Sequence, residues 1–316
     1  MKFIGFICAL AASTQVEAFS PSPFSNTKSV ARVSSNWITS PYITHDSLST
    51  ANKKVLSKLF MGWGPEPVWS SCSVVSNEPA SSSGNFVSVT MNVPSELVED
   101  YKIPGQYVQL KPADDDETKP LFLAIASAPT KEGETATSVE FLIKKTENND
   151  WITNASSGTA FAISQVMGKG FPIAENCDGF KYDFPVQNCL LFANGSGIAP
   201  IRAAMESGQL KIAKPGEGGR TARLYYGCTT IEDMPYLSKF GEWEANGFEV
   251  VPVISRPEEC KWEGRTGYIQ TAAEEDGIAI PRNTAALLCG VKGMAESVKD
   301  LLSKAGLFEG RVMTNF

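Results

Sequence analysis

The 316-residue sequence predicts two domains of different class, an all-β unit followed by a parallel α/β unit. Residues 189–193 and 285–289 are continuous apolar runs of strand length, each followed by a glycine turn and then by helical composition. Upstream, short alternating runs recur at 86–91, 106–110, 121–126, 139–144 and 160–166, with turn residues between them. These are the expected barrel-type strands. The acidic run Asp114 to Glu117 reads as a solvated loop, and so do residues 81–85 and 214–219.

At the N-terminus, Met1-Lys2, an apolar stretch over 3–12 and Val16-Glu17-Ala18 predict a signal peptide over 1–18. Its apolar part is too short to anchor in a bilayer, so no stable membrane insertion is expected. Cleavage after Ala18 exposes Phe19, and residues 19–60 are Ser-rich and acid-poor, which resembles the bipartite plastid address of algae with secondary plastids. Secretion is the alternative. Six cysteines beyond Cys8 are scattered, three of them (Cys189, Cys228 and Cys289) at strand ends, which suits a reducing compartment. None is spaced as a zinc or iron–sulfur motif, so no metal site is expected. The expected domains are thus 61–183 for the barrel and 184–316 for the α/β unit.

The turn after the first buried run is Gly195-Ser196-Gly197-Ile198-Ala199-Pro200. Its glycines permit a tight turn and let a phosphate approach the backbone, and Pro200 is pre-set for the first helical turn. The free amides at that helix start would face an anion. An ordinary strand–turn–helix connection carries the same Gly-x-Gly, so a second signal is needed. It comes from Cys289-Gly290-Val291-Lys292-Gly293-Met294, followed by Ala295, Val298, Leu301, Leu302 and Ala305 at helical spacing. Both turns belong on one sheet edge, where a nucleotide lies in such folds.

These two runs, in this order, resemble the NADP(H) domain of the ferredoxin-NADP reductase superfamily. Leu224 to Gly227 with Tyr236, and residues 253–256 through Gly267-Tyr268-Ile269-Gln270, are similar to the pieces that lie between them in the family. The resemblance implies a six-stranded antiparallel FAD-binding barrel ahead of a Rossmann-like NAD(P)-binding domain. It implies that Gly195, Ser196, Gly197 and Pro200 hold the pyrophosphate, that Ser255 and Arg256 pair with a 2′-phosphate near Tyr268, and that Cys289 is the catalytic-site residue beside the nicotinamide. Gly290 and Met294 complete that loop. Before proline, Arg256 reads equally as a surface cation, and a strand-end cysteine such as Cys289 is commonly inert filling.

In the barrel, Pro104-Gly105-Gln106 and Gly168-Lys169-Gly170 resemble the family's strand entry and glycine turn, which makes Gly168 and Gly170 candidate flavin contacts. The flavin motif itself departs from the pattern. Superfamily members carry Arg-x-Tyr-Ser before Ile-Ala-Ser, whereas alignment on Ala124-Ile125-Ala126-Ser127 puts Leu121 at the arginine, Leu123 at the tyrosine and Ala124 at the serine. The plant and algal ferredoxin-NADP reductase-like proteins share this variant. Main-chain groups of Leu123, Ala124, Ile125 and Ser127 remain to hold a flavin, with Lys144 as a point charge for a pyrophosphate.

The expected activity is an NAD(P)H-dependent flavoprotein oxidoreductase with FAD, NADP or NAD, and an unknown electron acceptor. A non-catalytic nucleotide-binding descendant and a reductase of free flavin are the alternatives. Residues 1–60 carry a net +4, which leaves −11 on the rest of a chain whose formal charge is −7. Nucleic acid is thereby disfavoured as a partner, and acidic ferredoxin mildly so. The one histidine, His45, lies in the presequence, so chemistry that needs an imidazole is excluded for the mature chain. Hydride transfer needs none.

Overall fold

The computed structural model describes residues 66–115, 117–131 and 133–315. The targeting expectations for residues 1–60, and His45 with them, lie outside the described residues. Alternating side chains build the first sheet: in β2 (Phe86–Asn92), Val87, Val89 and Met91 point into a core while Ser88 and Thr90 face away. The other strands are β1 (Trp69–Pro79), β3 (Tyr107–Pro112), β4 (Leu121–Ala124), β5 (Ser138–Lys144) and β6 (Ala160–Ser164), with short helices α1 (Ser95–Asp100) and α2 (Asp150–Thr153). They pair antiparallel in the order β4-β3-β6-β1-β2-β5. A bridge between Ile125 and Phe141 joins the two edges and brings the sheet close to a barrel. Val108, Leu110, Phe141 and Ile163 fill its interior.

The second sheet is parallel throughout, in the order β10-β9-β8-β7-β11-β12. Its strands are β7 (Asn188–Asn194), β8 (Thr221–Cys228), β9 (Phe248–Ile254), β10 (Arg265–Thr266), β11 (Thr284–Cys289) and β12 (Val312–Thr314). The helices are α3 (Ile173–Cys177), α4 (Ile198–Glu206), α5 (Phe240–Ala245), α6 (Ile269–Asp276) and α7 (Lys292–Ala305). Leu191 and Leu287 pack on one face with Ile201 of α4, and Leu190, Phe192 and Leu288 pack on the other with Val298 and Leu302 of α7. Burial on both faces is why these strands read as unbroken apolar runs. From β7 the chain crosses to β8 on one side, and the later β11 takes the other. The switch opens a crevice at the carboxyl ends of β7 and β11. The predicted fold class, an antiparallel barrel-type sheet followed by a Rossmann-like parallel sheet, is the one observed.

Residues 81–85, expected as a solvated loop, instead dock the β1–β2 hairpin onto the α/β half. Ser81 is buried. Ser83 N donates to Glu232 O at 2.9 Å, Asn85 Nδ2 to Asp233 Oδ1 at 2.7 Å, and Tyr236 N to Ala80 O at 3.1 Å. Tyr236 takes a left-handed backbone, φ 61°, which a bulky side chain holds only when its surroundings impose it.

Candidate functional site

The two glycine turns meet. Gly197 lies so close beneath β11 that a Cβ there would overlap the Cys289 carbonyl and the Gly290 amide nitrogen, so only glycine fits. Gly195 has φ 53°, and its carbonyl accepts a hydrogen bond from the buried Tyr226 hydroxyl at 3.3 Å. Asn194 Nδ2 donates to Gly227 O at 3.4 Å and ties the end of β7 to the end of β8.

Two cavities open along this edge. The larger, about 760 Å³, lies between β4 and β5 of the barrel and the two turns. The smaller, about 300 Å³, lies over the ends of β8 and β9 beside α6 and the start of α7. Asn194, Cys228 and Val291 line both, so the cavities are neighbouring compartments of one crevice. Their sizes suit small-molecule ligands.

The expected residues distribute over this crevice unevenly. Leu123, Ala124 and Lys144 from the barrel line the larger cavity, opposite Gly195, Ser196, Gly197 and Pro200. Cys289 and Gly290 line it too. Ser255, Tyr268 and Met294 line the smaller one, together with Gln270. Five expected residues line neither. Ile125 is fully buried in the barrel core. Ser127 Oγ accepts the Glu140 amide at 3.1 Å, and its carbonyl accepts the Tyr101 hydroxyl at 2.8 Å, so both groups serve the barrel's own bonding. Gly168, φ 78°, packs against the Tyr107 ring, and Gly170, φ 63°, against Ile103 and the Pro104 carbonyl, so both shape turns. Arg256 is exposed and paired with Glu259 at 3.1 Å.

Lys144 makes no ion pair among the described residues. Its ammonium stands 5.9 Å from the Phe86 ring centroid, at the cavity wall. Burial pushes the Cys289 thiol up to about 12, although the Asn315 side chain bonds to it and partly offsets the rise. At neutral pH it is therefore an uncharged thiol and a poor nucleophile. Cys228 is pushed up to about 12 by burial as well. The crevice thus combines, among the described residues, glycine turns, uncharged thiols and an apolar wall with the Lys144 ammonium and the Asp233 carboxylate. Among the described residues no group of histidine, cysteine or carboxylate side chains could hold a metal, and no helix is long and apolar enough to cross a membrane.

Sequence reasoning missed Asn194, Val291 and Asn315, and it missed the aromatic pair Tyr107 and Phe122, 5.9 Å apart, on the larger cavity's barrel side. A polar residue at a strand end carries no signal that it faces a crevice. It also missed a buried cluster behind the site, in which Glu140 Oε1 accepts from Arg202 Nη1 and Ser88 Oγ, each at 2.5 Å, and from Tyr236 Oη at 3.0 Å.

Residues 191–300 match the family model described as the oxidoreductase NAD-binding domain. The chain is 30% identical over 254 residues to the fruit protein pKIWI502 of Actinidia deliciosa, a match that covers 78% of this chain and 76% of that one. To the chloroplastic leaf isozyme 1 of ferredoxin--NADP reductase from Oryza sativa subsp. indica it is 27% identical over 134 residues, 40% of this chain and 37% of that one. Among solved structures, a ferredoxin NADP+ reductase from Neisseria gonorrhoeae with bound FAD and NADP aligns with a TM-score of 0.63 at 16% identity, covering 79% of this chain and 98% of that one. The cytochrome b5 reductase domain of Ulva prolifera nitrate reductase aligns at 0.59 with 15% identity, over 79% and 98%. At those identities the structural likeness is one of fold.

Proposed function

Because the chain belongs to the ferredoxin-NADP reductase superfamily, we propose that it is a plastid NAD(P)H-dependent flavoprotein oxidoreductase, with an acidic ferredoxin disfavoured as electron acceptor by the chain's own net negative charge. The single observation that carries this reading is the contact of the two glycine turns above one crevice with two compartments. The residues present fit a pyridine dinucleotide. Gly195 to Gly197 offer main-chain amides at the start of α4 to a pyrophosphate. Ser255 and Tyr268 in the smaller compartment receive the adenosine end, and Arg256 has to leave Glu259 to meet a 2′-phosphate.

The larger compartment fits a flavin ring through its apolar wall of Leu121, Leu123 and Ala124, and offers Lys144 to a phosphate. When bound, the two cofactors supply the transfer of a hydride, two electrons and one proton, from reduced nicotinamide to oxidised isoalloxazine. Cys289 contributes a compact, uncharged packing surface where the nicotinamide would lie, so it adds no competing nucleophile. Leu121 and Leu123 exclude water from the same space. With Leu121 where an arginine fork would stand, flavin is held more weakly than in relatives that keep the fork.

The test is the visible spectrum of the purified protein before and after anaerobic NADPH or NADH. Yellow protein that bleaches supports the reading. Colourless protein that reduces added flavin supports a free-flavin reductase, and protein that binds neither nucleotide supports neither.

A further inference from the structure

The pair Glu140 and Arg202 joins the two walls of the crevice from behind. Glu140 lies on β5, whose Leu142, Ile143 and Lys144 form part of the barrel wall. Arg202 lies on α4, two residues past Pro200, at the other end of the turn that forms the opposing wall. Their side chains are 7% and 19% exposed for Arg202 and Glu140, and they meet at 2.5 Å. The surroundings leave the pair little freedom. Glu140's main chain accepts from Ala126 N at 2.7 Å and donates to Ser127 Oγ at 3.1 Å, which fixes it to the segment after β4. Arg202's guanidinium lies 4.6 Å from the Tyr236 ring centroid, and its Nε donates to Glu206 Oε1 at 3.0 Å. Glu206 is held in turn by Trp243 Nε1 at 3.1 Å.

We infer that the Glu140–Arg202 pair, with Tyr236 and Ser88 on the same carboxylate, is a positioning device that sets the separation of the barrel wall from the glycine turn, and hence the approach of the two cofactor rings. The inference rests on the coenzyme reading above. The pair touches neither cavity and so acts through β5 and α4 alone. An ion pair in so dry a place needs polar partners, and here Glu140 Oε1 accepts from Arg202, Ser88 and Tyr236 while Arg202 Nε donates to Glu206.

The test uses the purified full chain and its Glu140→Gln and Tyr236→Phe variants, with three measurements: calorimetric binding of NADPH and NADH, turnover with ferricyanide as acceptor, and amide exchange. The nucleotide turn belongs to the α/β half, so binding in Glu140→Gln stays within about twofold of wild type, while turnover falls by about 10²-fold, the loss expected from a displacement of about 1 Å at the reacting centre. Amides of residues 196–199 and 140–144 exchange faster in the free variant, a readout that needs no cofactor. Tyr236→Phe keeps the ion pair and the ring, and shows a smaller fall in the same direction. Unchanged turnover and exchange in Glu140→Gln would overturn the device and leave the coenzyme reading intact. Equal losses of affinity and turnover would overturn it as well, by reducing the pair to general stability. If the wild-type chain binds neither nucleotide, both the reading and the device fall.

Discussion

Substituting Gly197 by alanine tests the framework of the site. The added Cβ would meet the Cys289 carbonyl oxygen and carbon and the Gly290 nitrogen, all main-chain atoms with no rotamer through which to retreat. Relief requires the two turns to separate by roughly 1 Å, and overpacking of this kind costs about 1–3 kcal/mol. For a chain of this size each kcal/mol lowers Tm by about 2–4 °C, so a fall of roughly 2–12 °C is expected in a thermal melt. Nucleotide affinity, measured by calorimetry, should fall further than the melt alone accounts for, because both halves of the turn pair move. Gly195→Ala is the control. Its Cβ meets only Phe86 Cζ at 3.8 Å, so its cost is the left-handed backbone, about 1–2 kcal/mol. Wild-type Tm with wild-type affinity in Gly197→Ala would refute the turn-to-turn contact as the base of the site.

Arg256→Ala should weaken NADPH by about tenfold or more and NADH little, since a charge-assisted contact to a 2′-phosphate is worth about 1.5–3 kcal/mol; equal losses in calorimetry would remove Arg256 from the phosphate. Cys289, with its thiol raised to about 12, should resist iodoacetamide at pH 7.5 in the folded protein and react after urea unfolding, followed by peptide mass mapping. Acid sensitivity follows from three carboxyls. Burial alone would raise Glu140, Asp178 and Asp276, but Arg202, Ser88 and Tyr236 around the first, Lys211 and Arg220 around the second, and Tyr225, Arg265 and Arg223 around the third outweigh it, so all three are held below their ordinary values. The unfolded chain then binds more protons in acid. Their contribution is complete above about pH 5 and is lost as pH falls through the lowered folded values. Urea midpoints should be flat from pH 7 to 5 and drop below about pH 4, and Glu140→Gln should flatten part of that drop.

What was legible in the sequence was what a local stretch of chain must solve by itself. Gly195, Gly197 and Gly290 announce tight turns, and the runs ending at Ala193 and Cys289 announce strands covered on both faces. The order of those pieces then identified the α/β half. Glu140 was not legible, because a glutamate alternating with Val139 and Phe141 reads as a residue facing water. Its partner stands 62 positions away on a helix. Ser127 was selected by alignment with a motif whose arginine and tyrosine this chain lacks, and Gly168 by likeness to a glycine turn; here Ser127 serves barrel hydrogen bonding and Gly168 turn shape. Arg256 was selected by type and order, and sequence could not weigh the pull of Glu259 beside it.

The left-handed turn at Tyr236 bears on how the molecule comes apart. Its amide, its ring and its hydroxyl each answer to a group outside its own strand–helix unit: Ala80 in the β1–β2 hairpin, Arg202 and Glu140. Without the barrel that reversal keeps only its contact with Arg202, so the α/β half taken alone would carry a poorly restrained kink beside its own crevice. Denaturation should therefore proceed as a single cooperative event in which both halves melt together, and a fragment beginning near residue 184 should be soluble only in a loosened form.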